Sequence, residues 1–128
     1  MKTYNSIRGN TVNLTAAMLQ NLATVPVTLF SVPLPDKYVI PLQIFYSYKF
    51  GTVAYTGTVS ITADTTGQVL NNLASIDITR PNDFAGYLGA PEYASALLAN
   101  SPLTLVANGT MGSGDGTLSV TLFYVLGN

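Results

Sequence analysis

Apolar and polar residues alternate with a period of two along most of the chain, the spacing of strands that bury one face. Leu42, Ile44, Tyr46, Tyr48 and Phe50 fall at every second position, with Gln43, Ser47 and Lys49 between them, and Phe45 interrupts the polar set. Val59, Ile61 and Ala63 alternate with Thr58, Ser60 and Thr62, and the turn residues Asp64-Thr-Thr-Gly67 follow. With Gly51 to Gly57 as their connection, 38–50 and 53–63 read as an antiparallel pair. A second pair is expected at the C-terminus. Leu103 to Ala107 forms its first strand; in the second, Leu118, Val120, Leu122, Tyr124 and Leu126 alternate with Ser119 and Thr121. The stretch between them is rich in glycine, and Gly114, Asp115 and Gly116 read as its structural turn, an Asp-Gly hairpin or bulge. After Thr121 the polar face of the last strand becomes Phe123 and Val125, so its second half is apolar on both sides and needs cover on both. A loop or a subunit interface can supply that cover; the low surface charge favours an interface at Phe123 and Val125.

Two short helices are expected. Thr15 to Leu22 has good helix formers and a cap at Asn13 or Thr15, and Pro91 to Ala99 begins with Pro and Glu and stops at Asn100-Ser-Pro102. Further strands are expected at Val27 to Val32 and Ile76 to Thr79, the latter followed by a loop at Arg80 to Asp83. Six or more short strands with no long amphipathic crossover helix predict an all-β fold, a jelly-roll-like antiparallel β-sandwich with one or two short helices. The 128 residues suffice for one domain. It divides into an N-terminal arm or short helix over 1–23 and a β-sandwich domain over 24–128.

Charged residues make up 9% of the chain, against about 25% in an average soluble domain. Thr, Ser, Asn and Gly take their place. The net charge is −1, and Lys2, Arg8, Lys37, Lys49 and Arg80 are spread without a cluster, which argues against nucleic acid and anionic membrane as partners. The N-terminal ten residues lack the apolar run of a Sec-type signal, and the most apolar windows fall short of the ~20 residues of a spanning helix. The absence of His, Cys and Trp excludes Ser-His-Asp and Cys-His catalysis, His or Cys zinc sites and disulfides.

The remaining chemistry is sparse. The loop Gly112-Ser-Gly-Asp-Gly116 has the glycines of a phosphate cradle but lacks the Gly-Lys-Ser/Thr ending, and it carries a negative side chain at its centre. A calcium site gathers several carboxylates, whereas this loop has Asp115 alone. Glycoside hydrolysis needs two carboxylates; Asp77 with Asp83 or Glu92 is the conceivable pair, and nothing in the sequence singles it out. Of the aromatic residues, Tyr46, Tyr48, Phe50 and Tyr124 share faces with core positions, leaving Tyr55 as the candidate surface contact. Asn13-Leu-Thr15 and Asn108-Gly-Thr110 match the glycosylation triplet, which carries no weight without a secretory signal. No catalytic residue, cofactor or metal is expected.

The segments Asn100-Ser-Pro-Leu-Thr-Leu105 and Gly114-Asp-Gly-Thr-Leu118, the latter leading to Tyr124, resemble in pattern and order small structural proteins of tailed bacteriophages. Thr24-Val-Pro-Val-Thr-Leu-Phe30, Val39-Ile-Pro-Leu42 and Val53-Ala-Tyr-Thr-Gly57 match earlier strands of that group, so the resemblance spans most of 24–126, while 1–23 matches nothing. It implies a virion component made in the host cytoplasm. On this reading the protein is a capsid decoration or cement protein that forms a homotrimer and binds the major capsid protein over subunit junctions. The alternative is a tail or fibre module that binds a host surface glycan through loop tips at 51–57 and 80–91.

Overall fold

The computed structural model describes residues 7–30, 38–65, 68–89 and 103–127. Their order is β1 (Arg8–Leu14), α1 (Ala16–Gln20), β2 (Val27–Phe30), β3 (Tyr38–Lys49), β4 (Thr58–Thr65), β5 (Gln68–Ile76), β6 (Phe84–Gly89), β7 (Leu103–Asn108) and β8 (Thr117–Gly127). They form two four-stranded sheets, β1-β8-β3-β6 and β2-β7-β4-β5, with every pairing antiparallel. Within these sheets β4 pairs with β5, β3 with β6, β2 with β7 and β1 with β8, a nested set in which the chain is one long hairpin doubled over. A second fold of that hairpin lays β8 along β3 and β7 along β4. This is the connectivity of a jelly roll.

Alternation decides which side chains meet between the sheets. Leu14, Ile44, Tyr48, Leu118, Val120, Leu122 and Tyr124 point inward from the first sheet, and Leu29, Val59, Ile61, Ile76, Leu103 and Leu105 from the second; all are buried. Leu19 and Leu22, from α1 and the turn after it, join the same cluster. Thr15 caps α1 by accepting from Met18 N at 3.3 Å, whereas the other expected cap, Asn13, lies in β1. The expected helix at Pro91 to Ala99 lies outside the described residues.

Both expected hairpin partners prove to lie in opposite sheets. β3 is in the first sheet and β4 in the second; β7 is in the second and β8 in the first. The glycine-rich stretches 50–57 and 109–116 are therefore crossings between layers. Alternation fixes the face of a strand and is silent about its neighbour, and eight residues are enough to step across the ~10 Å between packed sheets. Residues 8–14, on the N-terminal side of the expected boundary at residue 23, are a sheet member, paired with β8 from Arg8↔Tyr124 to Leu14↔Leu118. Leu42, expected on the core face, is exposed. The register against β8 passes from Pro41↔Tyr124 to Gln43↔Phe123, so Leu42 is the extra residue of a bulge, placed where Pro41 has no N–H to donate.

The crossings are fastened to one another. Asp115 accepts from Thr52 N (2.7 Å), Thr52 Oγ1 (2.6 Å) and Val53 N (2.8 Å), and its own N–H donates to the Val53 carbonyl. The Tyr55 hydroxyl donates to the Gly116 carbonyl at 2.7 Å, and Thr56 N donates to the Met111 carbonyl at 3.1 Å. Gln20 Nε2, at the end of α1, donates to the Gly114 carbonyl at 2.7 Å, and Phe50 N donates to Asp83 Oδ1 at 2.8 Å. The expected turn Gly114-Asp115-Gly116 thus sits at the centre of a junction and closes no hairpin. Its glycines are there for space: positive φ occurs at Gly109 and Gly112, whereas a Cβ on Gly116 would stand 2.4 Å from the Tyr48 hydroxyl oxygen and one on Gly114 2.4 Å from the Tyr55 ring.

Two outcomes test this junction. Gly116→Ala forces Tyr48 or the Lys49 carbonyl to move and lowers stability by about 1–3 kcal/mol, the usual range for overpacking; a denaturation midpoint equal to wild type would remove the packing argument. The Asp115 carboxyl is held below the usual carboxylate range by the Thr52 hydroxyl and by the Val53 and Thr52 amides. Its contribution is therefore complete above the unfolded-state value, about 4, and is lost as the pH falls through the lower folded value. The melting temperature of Asp115→Asn accordingly lies below wild type at neutral pH, and the gap narrows in acid; a gap independent of pH would contradict the assignment.

Candidate functional site

The surface that stands out is the outward face of the first sheet, whose rows follow from the register. Thr11, Thr121, Phe45 and Tyr87 lie side by side across β1, β8, β3 and β6. On one side of that row runs a second, Asn13, Ser119, Ser47 and Ala85; on the other runs Gly9, Phe123, Gln43 and Gly89. Among the described residues in this outward register the single charge is Lys49, opposite Thr117 at the end of β3. The scarcity of charge in the whole chain, 9%, shows here as a nearly neutral face of hydroxyls, two amides and aromatic rings.

Large apolar groups remain uncovered on it. Phe45 is 42% exposed, Tyr87 65% and Leu42 38%. Phe45 stands between two other rings, tilted against Tyr87 at 6.0 Å between centroids and edge-on to Phe123 at 5.3 Å, a geometry favoured by the charge distribution of aromatic rings. Phe123 also overlies Gly9, whose missing side chain makes room for it: a Cβ there would be 3.3 Å from the ring. The second apolar face of β8 is thus partly covered from within the chain, and Phe123 and Val125 are left half-buried. Across β8 and β1, the Thr11 and Thr121 hydroxyls are hydrogen-bonded at 2.8 Å.

The second row is low. Its small side chains make the floor of a depression of about 400 Å³, lined by Phe45, Ser47, Ala85, Tyr87, Ser119 and Thr121. A neighbouring depression of about 270 Å³, lined by Asn13, Thr15, Lys49 and Thr117, shares Ser47 and Ser119 with the first. Together they form a trough that crosses the strands.

The other candidate residues are placed elsewhere. Tyr55, the expected surface aromatic, is 2% exposed; burial and the neighbouring Tyr48 and Asp115 push its hydroxyl up to about 12, so it is a hydrogen-bond donor at neutral pH. Sequence pattern missed this because the residue lies in a connection, where alternation gives no orientation. Tyr48 is buried beside it, with its hydroxyl shifted upward by burial and by Asp115 and Asp83. Three acids fasten connections, Asp77 within its own and Asp83 and Asp115 across to residues 50–53. Asp77 accepts from Thr79 N and the Thr79 hydroxyl, which lower its carboxyl value with a smaller share from Arg80 at 3.9 Å. Asp83 binds Phe50 N, and Asp115 is engaged as described. Glu92 lies outside the described residues. Among those described, no three acids form a group that could hold a metal, and no helix is long and apolar enough to cross a membrane. Tyr87 is the residue the sequence pattern overlooked, since the glycines at 86 and 89 disguise β6 as loop.

No protein-family model and no curated protein matches the sequence. Among solved structures, the fold is similar to that of a chain in the capsid asymmetric unit of cyanophage Pam1, with a TM-score of 0.61 and 11% identity over 98% of this chain and 88% of that one. Two fainter likenesses carry no argument. One is to a chain of the disulfide-linked pili that are Bacillus endospore appendages (TM-score 0.45, 12% identity, 98% and 91% covered). The other is to a chain of the acid-stable capsid of Helicobacter pylori bacteriophage KHP30 (TM-score 0.44, 16% identity, 100% and 98% covered). At 11% identity, what is shared with the Pam1 chain is the jelly-roll fold, nearly end to end.

Proposed function

We propose that the protein is a structural component of a phage virion, a capsid decoration or cement protein that acts without catalysis. The observation that carries this reading is the likeness in fold, over almost the whole length of both chains, to a protein of a phage capsid asymmetric unit. Two features are in keeping with it. Asp77, Asp83 and Asp115 are occupied in holding connections in place, and the outward face of the first sheet carries uncovered apolar groups with one charge at its margin among the described residues.

The action is mechanical. The half-buried Phe123 and Val125, with the bulged Leu42 beside them, make an apolar end of the face that packs against another copy. A trimer built this way sits over junctions of the major capsid protein, and three simultaneous contacts make release rare even where each is weak. Contacts through Thr, Ser and Asn side chains depend little on ionic strength, because there are few charges to screen.

Sedimentation equilibrium of the isolated protein is expected to give a trimer at micromolar concentration. The variant Phe123→Ser with Val125→Ser is expected to sediment as a monomer and to retain the circular dichroism of a β-sandwich. A wild-type monomer would remove the interface. Cryo-electron microscopy of the particle that contains the protein should place it on the capsid exterior; density confined to the tail would overturn the decoration role.

A further inference from the structure

We propose that the trough across the outward face of the first sheet is a binding site for a short neutral saccharide. It is built like a site that recognises a ligand having both apolar C–H faces and many uncharged hydroxyls. One wall is aromatic: Phe45 and Tyr87, 6.0 Å apart and inclined at 41°, present uncovered ring surface. The floor is uncharged and mostly apolar, with the Ser47 and Ser119 hydroxyls set into it. Neither the Ser47 nor the Ser119 hydroxyl has a hydrogen-bond partner among the described residues, and both line the two depressions. Each can donate and accept, which is what a sugar hydroxyl requires of its partner.

Size and charge narrow the class. About 400 Å³ for the deeper part falls within the roughly 300–1,000 Å³ of small-molecule sites. The trough runs across four strands, about 14 Å between the outer strand axes at the usual spacing, which suits a short oligosaccharide lying along it. A nucleic acid would need cations along its backbone, and among the described residues the face offers Lys49 alone. A protein chain lying across the strands cannot continue the backbone ladder, since the hydrogen bonds of β8 and β3 are already used on both sides. The apolar end at Phe123, Val125 and Leu42 lies farther along the strands from this floor, so the site extends the virion reading and does not rest on it.

The test is an amide chemical-shift titration of the purified full chain, done separately with cellotriose, chitotriose and maltotriose. At least one is expected to shift the amides of Ser47, Ala85, Tyr87, Ser119 and Thr121 with a millimolar dissociation constant. Tyr87→Ala, at an exposed edge-strand position, should weaken that binding at least about tenfold, the equivalent of 1.4 kcal/mol. Ala85→Trp, which fills the floor, should abolish it, and unchanged shifts elsewhere will show that both variants fold. The proposal is overturned if none of the three sugars moves these amides, or if the shifts persist in both variants. It is equally overturned if the same amides move on dilution of the protein alone, which would put a second copy in the trough.

Discussion

The fold depends on how four sheet-to-sheet crossings are held together at one end of the sandwich. The connection that contains α1, and those at 50–57, 77–83 and 109–116, each step from one layer to the other. Each is tied to another by a hydrogen bond whose donor and acceptor are far apart in sequence. Gln20 reaches Gly114, Phe50 reaches Asp83, and Asp115 gathers Thr52 and Val53. Crossings cannot hydrogen-bond as ladders do, so their backbone groups must find partners among themselves or in water. Here the Asp115 carboxylate with its three donors, the Asp83 carboxylate, Gln20 and a buried tyrosine meet that requirement, and two close-packed glycines leave room for them.

Much of this architecture is legible in the sequence, and the limits have physical causes. The inward faces of β4, β7 and β8, and of β3 beyond its bulge at Leu42, follow from alternation alone, and Tyr124 lies where the spacing of Leu118, Val120 and Leu122 puts it. What alternation does not encode is the identity of a strand's neighbours, which is why two sheet crossings look like hairpins. β1 escapes notice because Arg8, Asn10 and Asn13 dilute an edge strand with two apolar residues, Val12 and Leu14. In β5 the period breaks because its register against β4 shifts between Ile61↔Ala74 and Ala63↔Leu70. Of the candidate site, Phe45 was visible as an intruder among polar positions and Phe123 as the start of a two-faced apolar segment. Their meeting across β3 and β8 is a product of register, which no local window contains.

The scarcity of charge has acquired a location. A sandwich with both sheet faces exposed to water ordinarily carries Lys and Glu on its outward positions. In this chain the outward rows of β1, β8, β3 and β6 are Thr, Ser, Asn, Gln and aromatic residues, with Lys49 at the margin. Such a face pays little desolvation penalty when covered, since neutral hydroxyls are cheaper to dehydrate than ions. It also gives little long-range steering, so encounters with whatever covers it are governed by diffusion and local fit.

The place of β8 has a further consequence for how the molecule comes into being. β8 is the last of the described strands, yet it lies between β1 and β3, and contacts such as Thr11 with Thr121 span 110 residues. While the polypeptide is being synthesised, β1 and β3 have no common partner, and the first sheet stays an open pair of edges until residues 117–127 leave the ribosome. Folding that waits for such distant pairings is slow, and unpaired edges are adhesive during the wait. A nascent chain of this kind cannot complete its first sheet before β8 has emerged, and that strand acts as the keystone.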